Sequence, residues 1–263
     1  MAERTRGQAG RWRVVAAEEL RDLWMAGRAT WMVFVLALIL SVSTVALART
    51  VSVNLLDARA GAVAVARLAA GVGAVLAMLV ASDAISGERE RATLEALLVT
   101  PVDRRQLVAG KLVAALSLSA GCYLVSVPYL IVIGRVAGIT GAAVVAAGIV
   151  GGLAAVFLAA VALMISVRAS TNRTSLAASL LTLAVLTLPG LLPATAMKGT
   201  IGQAIARIDP ISALLGFLNA VLVDERPLAA EAGWLLSPVL LAAVTVIWVT
   251  ATPRRIPLDP GHA

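Results

Sequence analysis

Six long apolar segments alternate with polar segments along this chain. A helix needs roughly 20 consecutive apolar residues to cross about 30 Å of hydrocarbon. The hydropathy pattern places six such spans, at about residues 31–48, 62–82, 107–133, 139–167, 176–192 and 234–250. The sequence therefore predicts an all-α polytopic membrane protein, with a single six-span domain at 31–252 between a leading segment, 1–30, and a tail, 253–263.

Two further regions have helical patterns without being long enough to span. Residues 11–28 alternate apolar and charged positions, which predicts an N-terminal interfacial helix in the headgroup region or a simple extension of the first span. The segment 198–226 is unusually apolar for a loop. Within it, Asp209 followed by Pro210 is a typical N-cap and first helical position. We therefore expect short helices on either side of that turn, dipping into the outer leaflet between spans 5 and 6.

A charged segment at 86–106 separates spans 2 and 3 and differs from every other connection. Ser86 and Gly87 interrupt the apolar run, and Glu88 and Glu90 then occupy a first helical turn, where carboxylates complement the helix dipole. Leucines follow at helical spacing and form a narrow apolar stripe; they are Leu94, Leu97 and Leu98. The pattern predicts a short amphipathic helix.

This short helix is expected to end before span 3 begins. Thr100 precedes Pro101, and a residue before proline disfavours the helical region of backbone space. Asp103 and Gln106 then resemble a capping box that opens the next helix. Taken alone, the segment has a simpler interpretation as a solvated loop whose charges keep it out of the bilayer.

The order of residues in this segment resembles the cytoplasmic loop of type-2 ABC transporter permeases, the membrane subunits of ATP-driven exporters. That loop follows roughly E-x-E-x-G-T-L-E-x-L-L-x-T-P, with G-K shortly after it. Ala92 stands where the family usually has glycine, a change that favours the helix by up to about 1 kcal/mol. The matching residues are Glu88, Glu90, Thr93, Leu94, Glu95, Leu97, Leu98, Thr100, Pro101, Gly110 and Lys111.

The resemblance implies that the short helix is a coupling helix, which docks on a separate ATP-hydrolysing subunit. ATP and Mg²⁺ would then be bound by that ABC ATPase and not by this chain, and a second permease subunit, identical or different, would complete the transporter. The leucines would bury against the ATPase, and the charged residues would set the register. The implied partner-binding residues are Glu88, Glu90, Arg91, Thr93, Leu94, Glu95, Leu97, Leu98, Thr100 and Pro101.

Composition and charge support a membrane location and an orientation. With 60% hydrophobic and 14% charged residues, the chain is too apolar for a soluble domain. Its net charge of +7 is scattered through membrane-flanking segments, which argues against nucleic-acid binding. Fifteen of the 22 Lys and Arg residues fall in the segments that share a side with both termini and the 86–106 loop. The positive-inside rule therefore predicts a multi-pass protein of the cell's inner or plasma membrane with cytoplasmic termini.

The chain lacks the residues that nucleotide binding, hydrolysis, metal binding or an internal disulfide would need. The chain has no G-x-x-x-x-G-K-[ST] phosphate loop, its only histidine is His262, and no cluster of polar residues indicates a hydrolase or a metal site. The single cysteine, Cys122, cannot form an internal disulfide. The second predicted span contains Arg67, which we expect to lie near the outer boundary in a structural role rather than to contact substrate. An enzyme is therefore not expected.

The sequence thus predicts a permease subunit that couples ATP hydrolysis by a partner to export through alternating access. A membrane anchor that recruits a cytoplasmic partner without transport remains an alternative. A channel or proton-coupled carrier is disfavoured because no acidic residue or histidine lies deep within a predicted span. Small apolar residues in the spans favour a lipidic or amphipathic cargo, and the surrounding membrane lipid is the remaining expected partner.

Overall fold

The computed structural model describes residues 11–50, 55–90, 104–191 and 199–251, and these parts of the chain consist of helices joined by turns and short connections, without strands. One turn of 3₁₀ helix, Ala232–Leu235, leads directly into the last helix. The helices are α1 (Arg11–Met25), α2 (Arg28–Thr50), α3 (Leu55–Asp83), α4 (Ser86–Glu90), α5 (Arg104–Ala137), α6 (Thr140–Arg168), α7 (Asn172–Leu191), α8 (Thr200–Ile208), α9 (Pro210–Leu222) and α10 (Leu236–Ala251).

Within the described residues, six helical segments are long and apolar enough to cross a membrane. They comprise α2, α3 together with α4, α5, α6, α7, and α10 together with its 3₁₀ turn. The prediction of an all-α, six-span fold is therefore confirmed. The 34 residues of α5 extend over about 51 Å, which is longer than a bilayer core requires. Its polar first turn therefore continues the helix beyond the apolar segment.

Small residues let the central helices approach one another closely. The most extensive pairing joins α3 and α6, and α5 packs against both of them. A Cβ atom on Gly151 of α6 would lie 3.3 Å from the Cα of Ala70, and one on Gly73 would lie 3.3 Å from the Cβ of Cys122 in α5. Lipid supplies no hydrophobic force between helices, so this close van der Waals contact is what holds the centre of the bundle together.

The peripheral helices carry large apolar side chains on their outer surfaces. Leu38 and Val42 of α2, Leu181 of α7, and Val244 and Ile247 of α10 are all exposed in the single chain. Such surfaces suit hydrocarbon and not water, which agrees with the hydropathy of these helices.

The bundle has two distinct polar ends, named here after the short helices that lie there. At the α4 end are α4, the end of α6 and the start of α7. At the α9 end, Gly138 takes a left-handed φ of +72° to close the turn between α5 and α6. The predicted start of α9 is observed, because the Asp209 side chain caps the helix by accepting from the backbone N–H of Ser212 at 2.7 Å, with Pro210 in the first turn. The depth of α8, α9 and α1 in the membrane stays a prediction.

The break between span 2 and the short helix lies earlier than predicted. Ala84 and Ile85 form the turn, whereas Ser86 and Gly87 are buried inside α4. A Cβ on Gly87 would lie 2.2 Å from the Oδ1 atom of Asp83, so glycine serves here to admit the Asp83 carboxylate and not to end a helix. Residues 91–103, the main part of the predicted coupling helix, lie outside the described residues.

Candidate coupling site at the α4 end

The structure describes two of the ten predicted partner-binding residues, Glu88 and Glu90, both in α4. The part of the site that can be examined is therefore its base, where the chain leaves the bundle at α4 and returns at the start of α5. The other predicted residues lie outside the described part of the chain; they are Arg91, Thr93, Leu94, Glu95, Leu97, Leu98, Thr100 and Pro101.

A buried lysine joins three helices at this base. The Lys111 side chain is only 2% exposed, and its Nζ donates to Oε1 of Glu19 at 2.7 Å and to Oε1 of Glu88 at 2.5 Å. These contacts connect α5 to α1 and to α4. A buried charge is tolerated only when it is well paired, and here two carboxylates neutralise one ammonium. We call Glu19, Glu88 and Lys111 the Lys111 triad.

The triad gives Glu88 an intramolecular partner that the sequence motif did not indicate. Its side chain is 18% exposed and faces Lys111 of the same chain. A contact of Glu88 with an ATPase stays a prediction, but its observed surroundings make it a residue that positions α4. The pair also spans the base of the loop, since Glu88 precedes residues 91–103 and Lys111 follows them.

The next two residues of α4 cap two long helices. The Arg89 guanidinium donates to the backbone carbonyl of Ala169 and, at 3.1 Å, to that of Val167, at the C-terminus of α6. The Glu90 carboxylate accepts from the backbone N–H of Asn172, at 3.1 Å, at the start of α7. Helix ends leave such groups without intrahelical partners, and a cation at a C-terminus and an anion at an N-terminus both have the favourable sign.

Buried serines satisfy the backbone where α3 passes into α4. The Ser166 hydroxyl accepts from the backbone N–H groups of Ile85 at 3.1 Å and of Ser86 at 3.0 Å. The hydroxyls of Ser86 and Ser175 donate to the carbonyl of Ser82, at 2.8 and 2.7 Å. Buried backbone groups need partners, so these serines make the turn compatible with a buried position.

Helix α1 lies on α5 along two glycines. A Cβ on Gly110 would lie 2.9 Å from Val15, and a Cβ on Gly121 would lie 2.6 Å from the Trp24 ring. The Trp24 Nε1 donates to the Ser117 hydroxyl at 3.2 Å. The Gly110-Lys111 pair of the sequence motif thus has a structural explanation, because the glycine admits α1 and the lysine binds it.

Sequence reasoning missed Glu19, Arg89, Ser166 and Asn172 as parts of this site. Glu19 is one of several charged residues in its segment. The other three lie at or near the ends of spans, where polar residues are common and indicate no particular contact. One signal was available: Lys111 and Lys198 are the only lysines in a chain whose other cations are arginines. An ammonium is more compact than a guanidinium and fits between two carboxylates in a small volume.

The α9 end carries a second set of polar contacts. Arg59 forms a salt bridge with Glu225, and Arg226 forms one with Glu231 at 3.0 Å. The hydrogen bond and the charge of Glu231 raise the pKa of Arg226 above its ordinary value. Arg67 of α3 donates to the side-chain oxygen of Asn219 in α9 at 2.8 Å. No group of His, Cys, Asp and Glu in the described residues could hold a metal ion.

Comparison with known proteins agrees with the motif at the α4 end. A search among curated proteins found no match. The family model for the ABC-2 family transporter protein matches residues 13–251, which is nearly the whole chain. The chain therefore belongs to the ABC-2 transporter permease family and is a multi-pass membrane permease component of an ABC transporter.

Proposed function

We propose that this permease serves an ATP-driven exporter, in which residues 91–103 transmit the movement of a separate ATPase subunit to the spans. The observation that carries the proposal is the way in which α4 is held. Side chains of four of its five residues contact α3, α5, α6 and α7 directly, and Lys111 connects it to α1. A segment attached in this way cannot move without moving the helices around it.

The attachment closes the loop at its base. Glu88 and Lys111 bond across the two points at which the segment leaves and rejoins the bundle. A push on residues 91–103 is therefore delivered to α3 and α5 together and, through Arg89 and Glu90, to the facing ends of α6 and α7. Rigid-body movement of packed helices around such a connection is a common way of switching between two access states.

The remaining parts of the proposal concern the assembly. Two permease subunits, identical or different, would each present one coupling helix, and ATP with Mg²⁺ would be bound by the ATPase subunits. The excess of Arg and Lys on the side of the termini supports a cytoplasmic α4 end. The chain then contributes movement and a pathway but no covalent chemistry.

The experiment that tests this function is co-purification of the full chain from its native cells in mild detergent. We expect a soluble subunit with a phosphate loop to accompany the wild-type chain and to be lost from the variant Leu94→Asp/Leu97→Asp. The conservative variant Leu94→Met/Leu97→Met should retain it, because that change keeps apolar volume and helix propensity. Recovery of the same ATPase with the Asp variant would refute the docking assignment.

Reconstitution of the recovered complex distinguishes an exporter from a membrane anchor. An exporter should show affinity between the subunits that depends on the nucleotide and ATPase activity that depends on the permease. Equal subunit affinity with and without ATP, and no vectorial movement of any cargo, would instead identify an anchor that recruits the ATPase without transport.

A further inference from the structure

An apolar cavity of about 180 Å³ lies between α3, α6, α7 and α9, well separated from the α4 end. A single charged side chain, Arg67, stands at its border, and nearly all of the remaining lining is apolar. Representative lining residues from the four helices are Val75, Leu158, Leu183, Ile211 and Leu218. We call this cavity the Arg67 cleft.

Arg67 is an exposed cation on the surface of a spanning helix. It lies sixteen residues from Asp83, or about 24 Å along α3, which places it inside the α9 end of the span. A charge at this depth is costly unless it has a partner of opposite sign. Its observed partner is the neutral amide of Asn219.

Two other arginines near this end provide a contrast. Arg59 and Arg226 each have a carboxylate partner within the chain. Among the side chains that the structure describes, none of the salt bridges involves Arg67. The guanidinium therefore has donors to offer to an anion that approaches from the membrane side.

We propose that the Arg67 cleft binds an anionic membrane lipid. The guanidinium would pair with the headgroup phosphate, since its fork of N–H donors matches two phosphate oxygens, and the Asn219 amide would contribute a further N–H. A segment of one acyl chain would enter the cavity between α3 and α9. Charge complementarity at the border and an apolar interior together select an amphiphile with one negative headgroup.

The size of the cleft limits what can enter it. Pockets for drug-sized ligands are about 300–1,000 Å³, whereas an engineered apolar cavity of about 150 Å³ holds a single benzene. At about 180 Å³ the cleft accommodates part of one chain, so the rest of the lipid stays in the bilayer. Binding of this kind is a property of the single chain, and the inference does not depend on how the α4 end couples to an ATPase.

The test is native mass spectrometry of the purified full-length chain in detergent. Palmitoyl-oleoyl phosphatidylglycerol and the phosphatidylcholine with the same chains are added in turn. We expect the wild type to retain one phosphatidylglycerol about tenfold more strongly than phosphatidylcholine, because both lipids carry the phosphate but the choline ammonium cancels the net negative charge that the guanidinium attracts. Arg67→Gln should abolish this preference, and Arg67→Lys should keep part of it. The control is Arg135→Gln, which changes an exposed arginine of a different helix, α5, and should leave the preference unchanged.

A second variant tests whether an acyl chain enters the cleft, and it leaves the charge of Arg67 in place. A Cβ on Gly71 meets nothing within 4 Å, and Gly71 lines the cleft, so Gly71→Leu would fill it without a clash at the backbone. We expect weaker retention of phosphatidylglycerol with Arg67 intact. Glycerol phosphate, which has the charge but no chains, should not displace the lipid.

Three results would overturn the proposal. They are equal retention of the two lipids by the wild type, an unchanged preference in a folded Arg67→Gln protein, and an unchanged affinity in Gly71→Leu. If Arg67→Gln fails to fold, the Gly71→Leu and lipid-class comparisons still decide.

Discussion

Lys111 shows how a single side chain can set the arrangement of three helices. Its ammonium is almost fully buried, so it must be neutralised where it lies, and the carboxylates of Glu19 and Glu88 do this from two different helices. A buried ionic group of this kind contributes little net stability compared with apolar residues of similar volume, yet it is expensive to break. The triad therefore specifies which helix faces meet.

Replacing the lysine alone should destabilise the chain. Lys111→Met removes the ammonium that the two carboxylates share, and the expected loss in the free energy of unfolding is about 3 kcal/mol, the lower part of the range for broken buried pairs, since both carboxylates are partly exposed. Thermal unfolding of the purified protein in detergent measures this loss.

The matched control removes all three charges together. Glu19→Gln/Glu88→Gln/Lys111→Met should recover most of the stability, because the two carboxylates are neutralised together with the loss of the ammonium that they share. If the single and the triple variant are equally destabilised, the side chains of the triad act through packing and not through charge.

At the scale of elements, the short helices are held by neighbouring ends and the long helices by small residues. Helix α4 is too short to be stable alone, and its residues instead satisfy the ends of α6 and α7. Helix α1 is positioned by its close packing against α5 at Gly110 and Gly121.

A substitution at Gly121 directly tests whether α1 packs closely against α5. Gly121→Ala would place a Cβ 2.6 Å from the Trp24 ring, so the ring or α1 itself must shift, at a cost of about 1–3 kcal/mol. Gly152→Ala in α6 is the matched control, since its Cβ meets nothing within 4 Å and alanine favours a helix by up to about 1 kcal/mol. Thermal unfolding should separate the two variants in opposite directions, and equal behaviour would contradict the close packing of α1 on α5.

The sequence predicted the elements better than their contacts, for a physical reason. A span depends on some twenty consecutive apolar residues, and the start of α9 depends on Asp209 and Pro210, which are adjacent, so both signals are local. The position of Glu88 depends on Lys111, 23 residues away, and on the docking of α1, which no local pattern encodes. The burial of Ser86 was missed for the same reason, because it depends on Ser166, 80 residues away.

At the scale of the whole molecule, the two ends differ in what they offer. The α4 end has a network of buried polar contacts around the base of a loop, whereas the α9 end has exposed ion pairs and an apolar cleft. Such an asymmetric bundle suits a protein that receives movement at one end and meets lipid or cargo at the other.

The orientation of these ends in the membrane can be measured with single cysteines. Arg173→Cys lies in the exposed start of α7 at the α4 end, and Arg226→Cys lies in the exposed loop after α9. In intact cells a membrane-impermeant maleimide should label position 226, and it should label position 173 only after permeabilisation. Cys122 is buried and should give little background. The reverse labelling pattern would contradict the cytoplasmic assignment of the α4 end.

The central claim, that α4 transmits movement from the ATPase to the spans, is tested most directly by the amount of cargo moved per ATP hydrolysed in the reconstituted complex. Arg89→Gln removes the charged cap on α6 but leaves the leucines of the 91–103 segment unchanged. The ATPase should stay bound, while transport per ATP falls, because α4 loses the charged contact through which it would move the end of α6. Arg173→Gln, an exposed arginine at the same end, should leave the ratio unchanged. An Arg89→Gln complex that moves as much cargo per ATP as the wild type would contradict the account.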